Sequence, residues 1–566
     1  MRLILAILVF IFSAKAESFK DCYKLFKEER FLKAKKCFLS VNDKDLKPYI
    51  NHYLMLINQI YNEDFKIKDS AYAIKSYDYL KLSADSFYRK EFQKSKNYFQ
   101  KIDIKALDKD DIPFYLYLKA NLYNDFSIKK QLATEYIYDR NYGYKTFLEI
   151  YKNLSQKDLE KAVKTLISYR MYERALGIMP LLKTNDKVLY YYLYLYVKTE
   201  DFEKAKSFLE KINKKSKYYP VALYILGYYS KSWEERKRYF DKLVETKNKK
   251  YINKLGIPLT KKAFHYKKLN YFNYFLSKLD KSEDKVWYTF LYKYFFDSKK
   301  KAYSYLLKNT NWIKDKNKLY YWLYLASGNK HYIMRVKNSK IDDFYKIIAG
   351  GNVSVRRNIR ICKGIPYIEK IKEVDYNLAY IESKYLLKKG KIKNLYCTMP
   401  EVVVRKLPKK ERFIKPFGNL KDLIYAVMKQ ESLFYYKAIS YSNAVGLMQF
   451  IPPTAYWVAK KRDIKNFDIT DLFNPDISID FGRWYLKYLL DKFNGNIYYA
   501  IASYNGGATN VSRTLRRFKP KNIAEFVETH PFDETRDYLK KVYTNYVIYR
   551  KLNGVSYVYR SNRRSR

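Results

Sequence analysis

An aromatic residue, a small or polar residue three positions later, and further aromatics three or four beyond that recur from about residue 17 to about residue 350. The pattern runs through Phe31, Ala34 and Phe38, then Phe92, Ser95, Tyr98 and Phe99, then Phe202, Ala205 and Phe208. Trp233, Arg236, Tyr239 and Phe240 repeat it with the small position lost. Tyr172, Phe202 and Trp233 stand about thirty residues apart, close to one helical hairpin of a solenoid. A small residue lets the partner helix approach, and the aromatics seal each hairpin against the next. Proline and glycine number only 14 and 16 in 566 residues, which favours long helices over a turn-rich sheet architecture.

A chain of this length exceeds one core. The reading is all-α, with an α-superhelical, TPR-like solenoid over 17–350, a small helical linker domain over 351–410 and a last α domain over 411–566. The linker opens at Gly350-Gly351 and a basic stretch, and carries Cys362, a helix over Tyr376–Leu387 and Cys397. Lys406–Pro416, with two prolines, reads as a connector.

Residues 1–16 have the form of a cleavable leader: Arg2, an apolar run over Leu3–Phe12, then Ser13-Ala14-Lys15-Ala16. The run is too short to span a bilayer comfortably, so the expected location is the periplasm. Four cysteines suit an exported chain, and their spacing suggests two local disulfides, Cys22 with Cys37 and Cys362 with Cys397. No CxxC pair occurs. His52, His265, His331 and His530 are scattered, so no metal or other cofactor is expected. The formal charge of +54 suits binding to a polyanion, whether nucleic acid, anionic membrane or an acidic wall polymer. The abundance of Lys, Tyr, Phe, Ile and Asn also fits an AT-biased genome. Nucleic acid rests on charge alone and conflicts with export.

The last domain carries the candidate chemistry. In Leu420–Glu431 the residues Leu420, Ile424, Val427 and Glu431 share one helical face, so a carboxyl group continues an apolar stripe. Such an acid is costly to ionise, and its pKa rises, the property a glycosidase proton donor needs. Further along come Ser440 and the run Asn443–Gln449. There Gly446 permits close approach to its backbone, by a ligand among other things, and Gln449 offers both donor and acceptor. Helices start at Pro452 and at Asn474-Pro475. Another runs from Ile497 through Tyr504 and stops at Asn505-Gly506-Gly507, and a final one opens at Pro531–Arg536 and continues through Tyr538, Val542 and Tyr546.

Glu431-Ser432, Ala444–Gln449 and Tyr504-Asn505-Gly506, in this order and approximate spacing, resemble the lysozyme-like domain of lytic transglycosylases. Phe526–Arg536 is similar to the end of the soluble lytic murein transglycosylase type, whose domain order is also the one expected here. The motifs cover roughly 417–550. Val445, Ile451, Ser503 and Gly507 depart from the usual pattern and bear on details of sugar contact.

The resemblance implies cleavage of the β-1,4 bond between N-acetylmuramic acid and N-acetylglucosamine. Glu431 would act as acid and then base, and the product would be a 1,6-anhydro end. Ser440, Met448, Gln449, Tyr504, Asn505 and Glu534 would contact substrate or support the cleft. Ser432, not an acid, follows Glu431. Asp471 and Asp476 are the nearest other acids, and Asp476 fits helix capping. The expected partner is the peptidoglycan glycan strand, gripped by the basic superhelical region, with peripheral association to the anionic envelope and a monomeric state. The alternatives are a hydrolytic muramidase and an inactive peptidoglycan-binding scaffold.

Overall fold

The computed structural model describes residues 18–61, 63, 67, 72–354, 364–390, 394–395, 398–404, 421–440 and 442–553. The expected leader, Cys362, Cys397 and the connector at 406–416 lie outside the described residues. Helices dominate, and the only β pairing among the described residues is two isolated bridges, Ile439 with Val445 and Val445 with Phe450.

The described residues form two compact units. One comprises those up to Leu154 together with 364–404; the other comprises Ser155–354 together with 421–553. The division falls inside the stretch expected to form one repeat domain.

In the first unit, helices Phe19–Lys27 and Phe31–Ser40 are joined by the Cys22–Cys37 disulfide. Helix Tyr376–Lys388 inserts Glu382 at the start of helix Tyr72–Tyr88. There the carboxylate accepts the Ala73 and Ile74 N–H groups at 2.9 and 3.0 Å, partners suited to a helix N-terminus. Tyr53, on helix Lys47–Ile60, donates to Asp375, the residue that caps helix Tyr376–Lys388, at 2.7 Å. The Ser95 position of the repeat lies at a helix crossing: Ser95 and Ser83 each donate to the other's carbonyl oxygen, at 2.7 and 2.9 Å.

In the second unit, consecutive hairpins stack: Asp186–Lys198 with Phe202–Lys211, Tyr219–Tyr229 with Trp233–Glu245, Lys249–His265 with Leu269–Ser277, and Glu283–Phe296 with Lys299–Lys308. Asp201, Ser232, Asn248, Ser282 and Ser298 cap the starts of helices by accepting backbone N–H groups. Ala205 is fully buried where the small residue was expected, in one core with Leu193, Leu223, Phe240 and Leu255. At the lost small position, Arg236 is buried with its guanidinium 5.0 Å from the Trp233 ring centre. Several turns use a left-handed residue two positions before the next helix, at Glu29, Lys90, Arg170 and Glu200, with φ from 58° to 64°.

Candidate active site

Helix Asp422–Glu431 is buried on every side from Leu423 to Met428, rather than along a single stripe. It lies against the final helix, Asp533–Leu552: Tyr425 stacks on Tyr549 at 5.3 Å, and Lys429 donates to Asn545 Oδ1 at 2.8 Å. Glu431 is the last residue of its helix. Ser432 is buried and donates back to the Met428 carbonyl at 3.2 Å, so it closes the helix instead of facing the site. Two successive left-handed residues follow, Leu433 and Phe434, with φ of 50° and 64°. Each costs roughly 1–2 kcal/mol, and the buried Phe434 ring secures the turn that ends beside Glu431.

The hydroxyl of Tyr538 donates to Glu431 Oε1 at 2.6 Å. Burial lifts the Glu431 pKa from 4.5 to about 7. The Tyr538 hydrogen bond opposes that rise by favouring the ionised form, and the negative charge of Glu534, one turn earlier on the final helix, adds to it. Burial also holds the Tyr504 and Tyr538 hydroxyls well above their ordinary range, with Glu431 adding to both, so each stays a donor.

Ser440 accepts the N–H groups of Ser442 and Ala444 at 3.1 and 3.0 Å and shapes the loop that leads to Gln449. Gln449, itself left-handed at φ 49°, uses its amide nitrogen on the carbonyls of Ala438 and Gly446, at 3.0 and 2.8 Å. Gly446, at φ 79°, is required by the backbone of the neighbouring segment: a Cβ there would lie 2.2 Å from the Leu472 carbonyl oxygen. The Met448 side chain is fully buried and fills the space over Gly482, where a Cβ would meet its Cε at 2.3 Å. Met448 connects to the site through its carbonyl, which accepts the Tyr504 hydroxyl at 2.8 Å. Tyr504 thus braces the loop, while Tyr538 holds the acid. Asn505 accepts from Thr535 at 2.7 Å and ties the end of helix Ile497–Gly506 to the final helix. Glu534 is exposed. Asp471 completes a capping box with Asp468, and Asp476 sits in the first turn of helix Pro475–Lys492.

Tyr538, which the sequence shows only as one position along the final helix, is the partner of the acid. Its spacing of four from Glu534, which puts both on one face of the final helix, was the available signal.

Phe526–Arg536 makes most of its polar contacts with the repeat helices of this unit. Glu528 is buried, accepts from Trp287 Nε1 and from the Tyr345 hydroxyl at 2.9 Å each, and faces Lys318 and Lys540 at 3.6 and 3.8 Å. Those cations keep its carboxyl ionised in spite of burial, far below the usual range. Glu525 accepts from Tyr294 at 2.9 Å. Arg536 donates to the His530 carbonyl at 2.7 Å and pairs with Asp533. The motif is therefore built mainly as an anchor between the repeat helices of this unit and the final helix.

The site is thus a buried acid at a helix end, held by Tyr538, beside a loop that Tyr504 braces. Residues 413–527 match the model of the Transglycosylase SLT domain family, so the chain carries that domain. It is 35% identical over 162 residues to membrane-bound lytic murein transglycosylase C of Actinobacillus pleuropneumoniae serotype 5b (strain L20), covering 24% of this chain and 43% of that protein. It is 34% identical over 131 residues to the soluble lytic murein transglycosylase of Escherichia coli (strain K12), covering 23% of this chain and 20% of that protein. The chain thus spans less than half the length of these curated relatives. Among solved structures, the 70 kDa soluble lytic transglycosylase of Escherichia coli superposes with a TM-score of 0.56 at 16% identity, covering 94% of this chain and 96% of that one. The lytic transglycosylase Slt of Pseudomonas aeruginosa, as an inactive glutamate-to-glutamine mutant, gives 0.52 at 18% identity, covering 95% and 98%. The fold is that of the soluble lytic transglycosylases, α-superhelical with a lysozyme-like domain.

Proposed function

We propose that this chain is a lytic transglycosylase that cleaves the N-acetylmuramic acid–β-1,4–N-acetylglucosamine bond of peptidoglycan without consuming water. The observation that carries the reading is the Glu431 carboxyl, poised at about 7 and held by Tyr538. A group near the operating pH can serve as both acid and base. Protonated Glu431 gives its proton to the glycosidic oxygen as the C1–O bond breaks, and the muramic N-acetyl group stabilises the cation at C1. Ionised Glu431 then takes the proton from the C6 hydroxyl as O6 bonds to C1. The 1,6-anhydro ring closes and the acid is restored. Ser440, Gln449 and Asn505 keep the surrounding loops in register, and Met448 supports Tyr504. The inactive glutamate-to-glutamine mutant of the Pseudomonas aeruginosa relative supports a glutamate in this role.

The reading extends to a monomer working in the periplasm, a location that the Cys22–Cys37 disulfide favours. Basic, tyrosine-rich helices would hold the acidic strand. Lys198 lies 4.1 Å from the Tyr229 ring centre and Lys254 lies 4.5 Å from that of Tyr224, which presents cations beside flat apolar faces.

Mass spectrometry of digested sacculi tests the reaction. Muramic ends one water lighter than reducing ends are expected. Reducing ends would instead indicate a muramidase, and intact sacculi would indicate an inactive scaffold.

A further inference from the structure

The repeat helices and the final helix of the second unit meet in a buried polar cluster centred on His265, the last residue of helix Lys249–His265. Its Nδ1 lies 3.1 Å from the Thr529 carbonyl, so that nitrogen carries the proton and donates. Its Nε2 accepts, from Arg536 at 2.7 Å and from the Tyr288 hydroxyl at 3.1 Å. The Tyr288 hydroxyl in turn accepts from Arg536 at 3.2 Å. Arg517 closes the back of the cluster by donating to the His265 carbonyl at 2.8 Å. A neutral imidazole is the only form that satisfies this set, because a second N–H would point at a guanidinium. Burial and Arg536 accordingly hold the His265 pKa well below its ordinary range.

Arg536 and Tyr538 are two residues apart, about 200° around the helix. One side of the first turns is therefore locked to the repeat helices, while the other presents the hydroxyl that holds Glu431. A hydrogen bond of 2.6 Å weakens steeply with misalignment, so a small rotation of this helix would be felt at the acid.

We infer that His265 is a positioning residue for catalysis: through Arg536 it fixes the rotation of the final helix and so the Tyr538–Glu431 hydrogen bond. The repeat region then acts on the chemical step as well as on substrate binding. The inference rests on the reading of Glu431 as the acid. The charged and titratable groups that face the coupled pair are Tyr504 and Glu534. Those around the anchor are Tyr288, Arg517, Glu528, His530, Asp533, Asp537, Lys261, Lys318 and Lys540.

The test uses the full chain with His265→Leu, His265→Gln and Tyr288→Phe, a short soluble glycan fragment as substrate, and NMR titration of the Glu431 carboxyl carbon. His265→Leu is expected to lower kcat about tenfold with KM within about twofold. It should also move the basic limb of the pH profile, and the Glu431 midpoint, upward, because the bond favouring ionisation is loosened. His265→Gln keeps one donor and one acceptor and should restore most of both. Tyr288→Phe removes one oxygen and little volume, so it reports even where His265→Leu fails to fold, and it should move the midpoint in the same direction. An unmoved Glu431 midpoint in folded Tyr288→Phe and His265→Leu overturns the inference. So does a His265→Leu defect confined to KM, with kcat unchanged. The titration needs no turnover, so a shifted midpoint in a chain that yields no anhydro ends would uphold the coupling and refute the proposed reaction.

Discussion

Tyr538 and Glu431, 107 residues apart in sequence, meet through a 2.6 Å hydrogen bond from the phenol to the carboxyl group. The contact joins the end of one buried helix to the second turn of another, and it sets a balance. Desolvation pushes Glu431 towards its neutral form, and the phenol pulls it back towards the anion. An acid that must give up a proton and then recover one needs both influences.

Tyr538→Phe removes the influence that favours ionisation. A hydrogen bond to a charged group contributes about 1.5–3 kcal/mol, so the Glu431 midpoint should rise by about one unit or more. The basic limb of the pH–kcat profile should move up with it. An unchanged limb would show that the contact does not act on the acid.

Glu431→Gln should reduce anhydro product by about 10²–10⁴-fold and should stabilise the fold. The folded pKa of about 7 lies above the unfolded value near 4.5. The folded chain therefore binds more protons between those values, and stability falls as pH rises through that window. The glutamine variant escapes this loss. It should be more stable than the parent by about 1–3 kcal/mol at pH 8 and equal to it below pH 4. Denaturant melts at the two pH values measure the difference.

Gly446→Ala should distort the loop that carries Gln449. A Cβ there would lie 2.2 Å from the Leu472 carbonyl oxygen, and the position has φ 79°. The left-handed backbone alone costs roughly 1–2 kcal/mol for alanine. Thermal unfolding should shift down, and kcat on short glycans should fall. Wild-type behaviour in both would mean that the loop relaxes freely.

The Cys22–Cys37 disulfide closes a loop of sequence separation 15. Cys22→Ser with Cys37→Ser should cost about 2–4 kcal/mol, read as faster amide exchange over Phe19–Ser40. Cleavage of short glycans should be unchanged, since neither residue belongs to the site.

Helix phase was legible in the chain because it depends on local spacing. Ala34 and Ala205 are fully buried where the aromatic-small pattern puts a helix crossing, and helix Tyr376–Lys388 extends its expected span by one residue. The hairpin turns were less legible. Glu29, Lys90, Arg170 and Glu200 take left-handed conformations without a glycine to announce them. Glu431 stood out because a carboxyl interrupts an apolar face, but its partner did not. Tyr538 is only one position along its helix until the fold brings two distant helices together. Met448 reads as a substrate contact from its motif, whereas its side chain packs on Gly482; the close approach that Gly446 permits is made by the Leu472 carbonyl. Phe526–Arg536 likewise marks the end of the domain in sequence but serves mainly as an anchor, a distinction that depends on Trp287, Tyr345 and His265 from far upstream.

The most direct measurement is the titration of Glu431 itself, by carboxyl carbon NMR in the folded full chain, with Glu431→Gln to assign the resonance. A midpoint of about 7 is predicted. A midpoint near 4.5, the value of a solvated glutamate, would contradict the account.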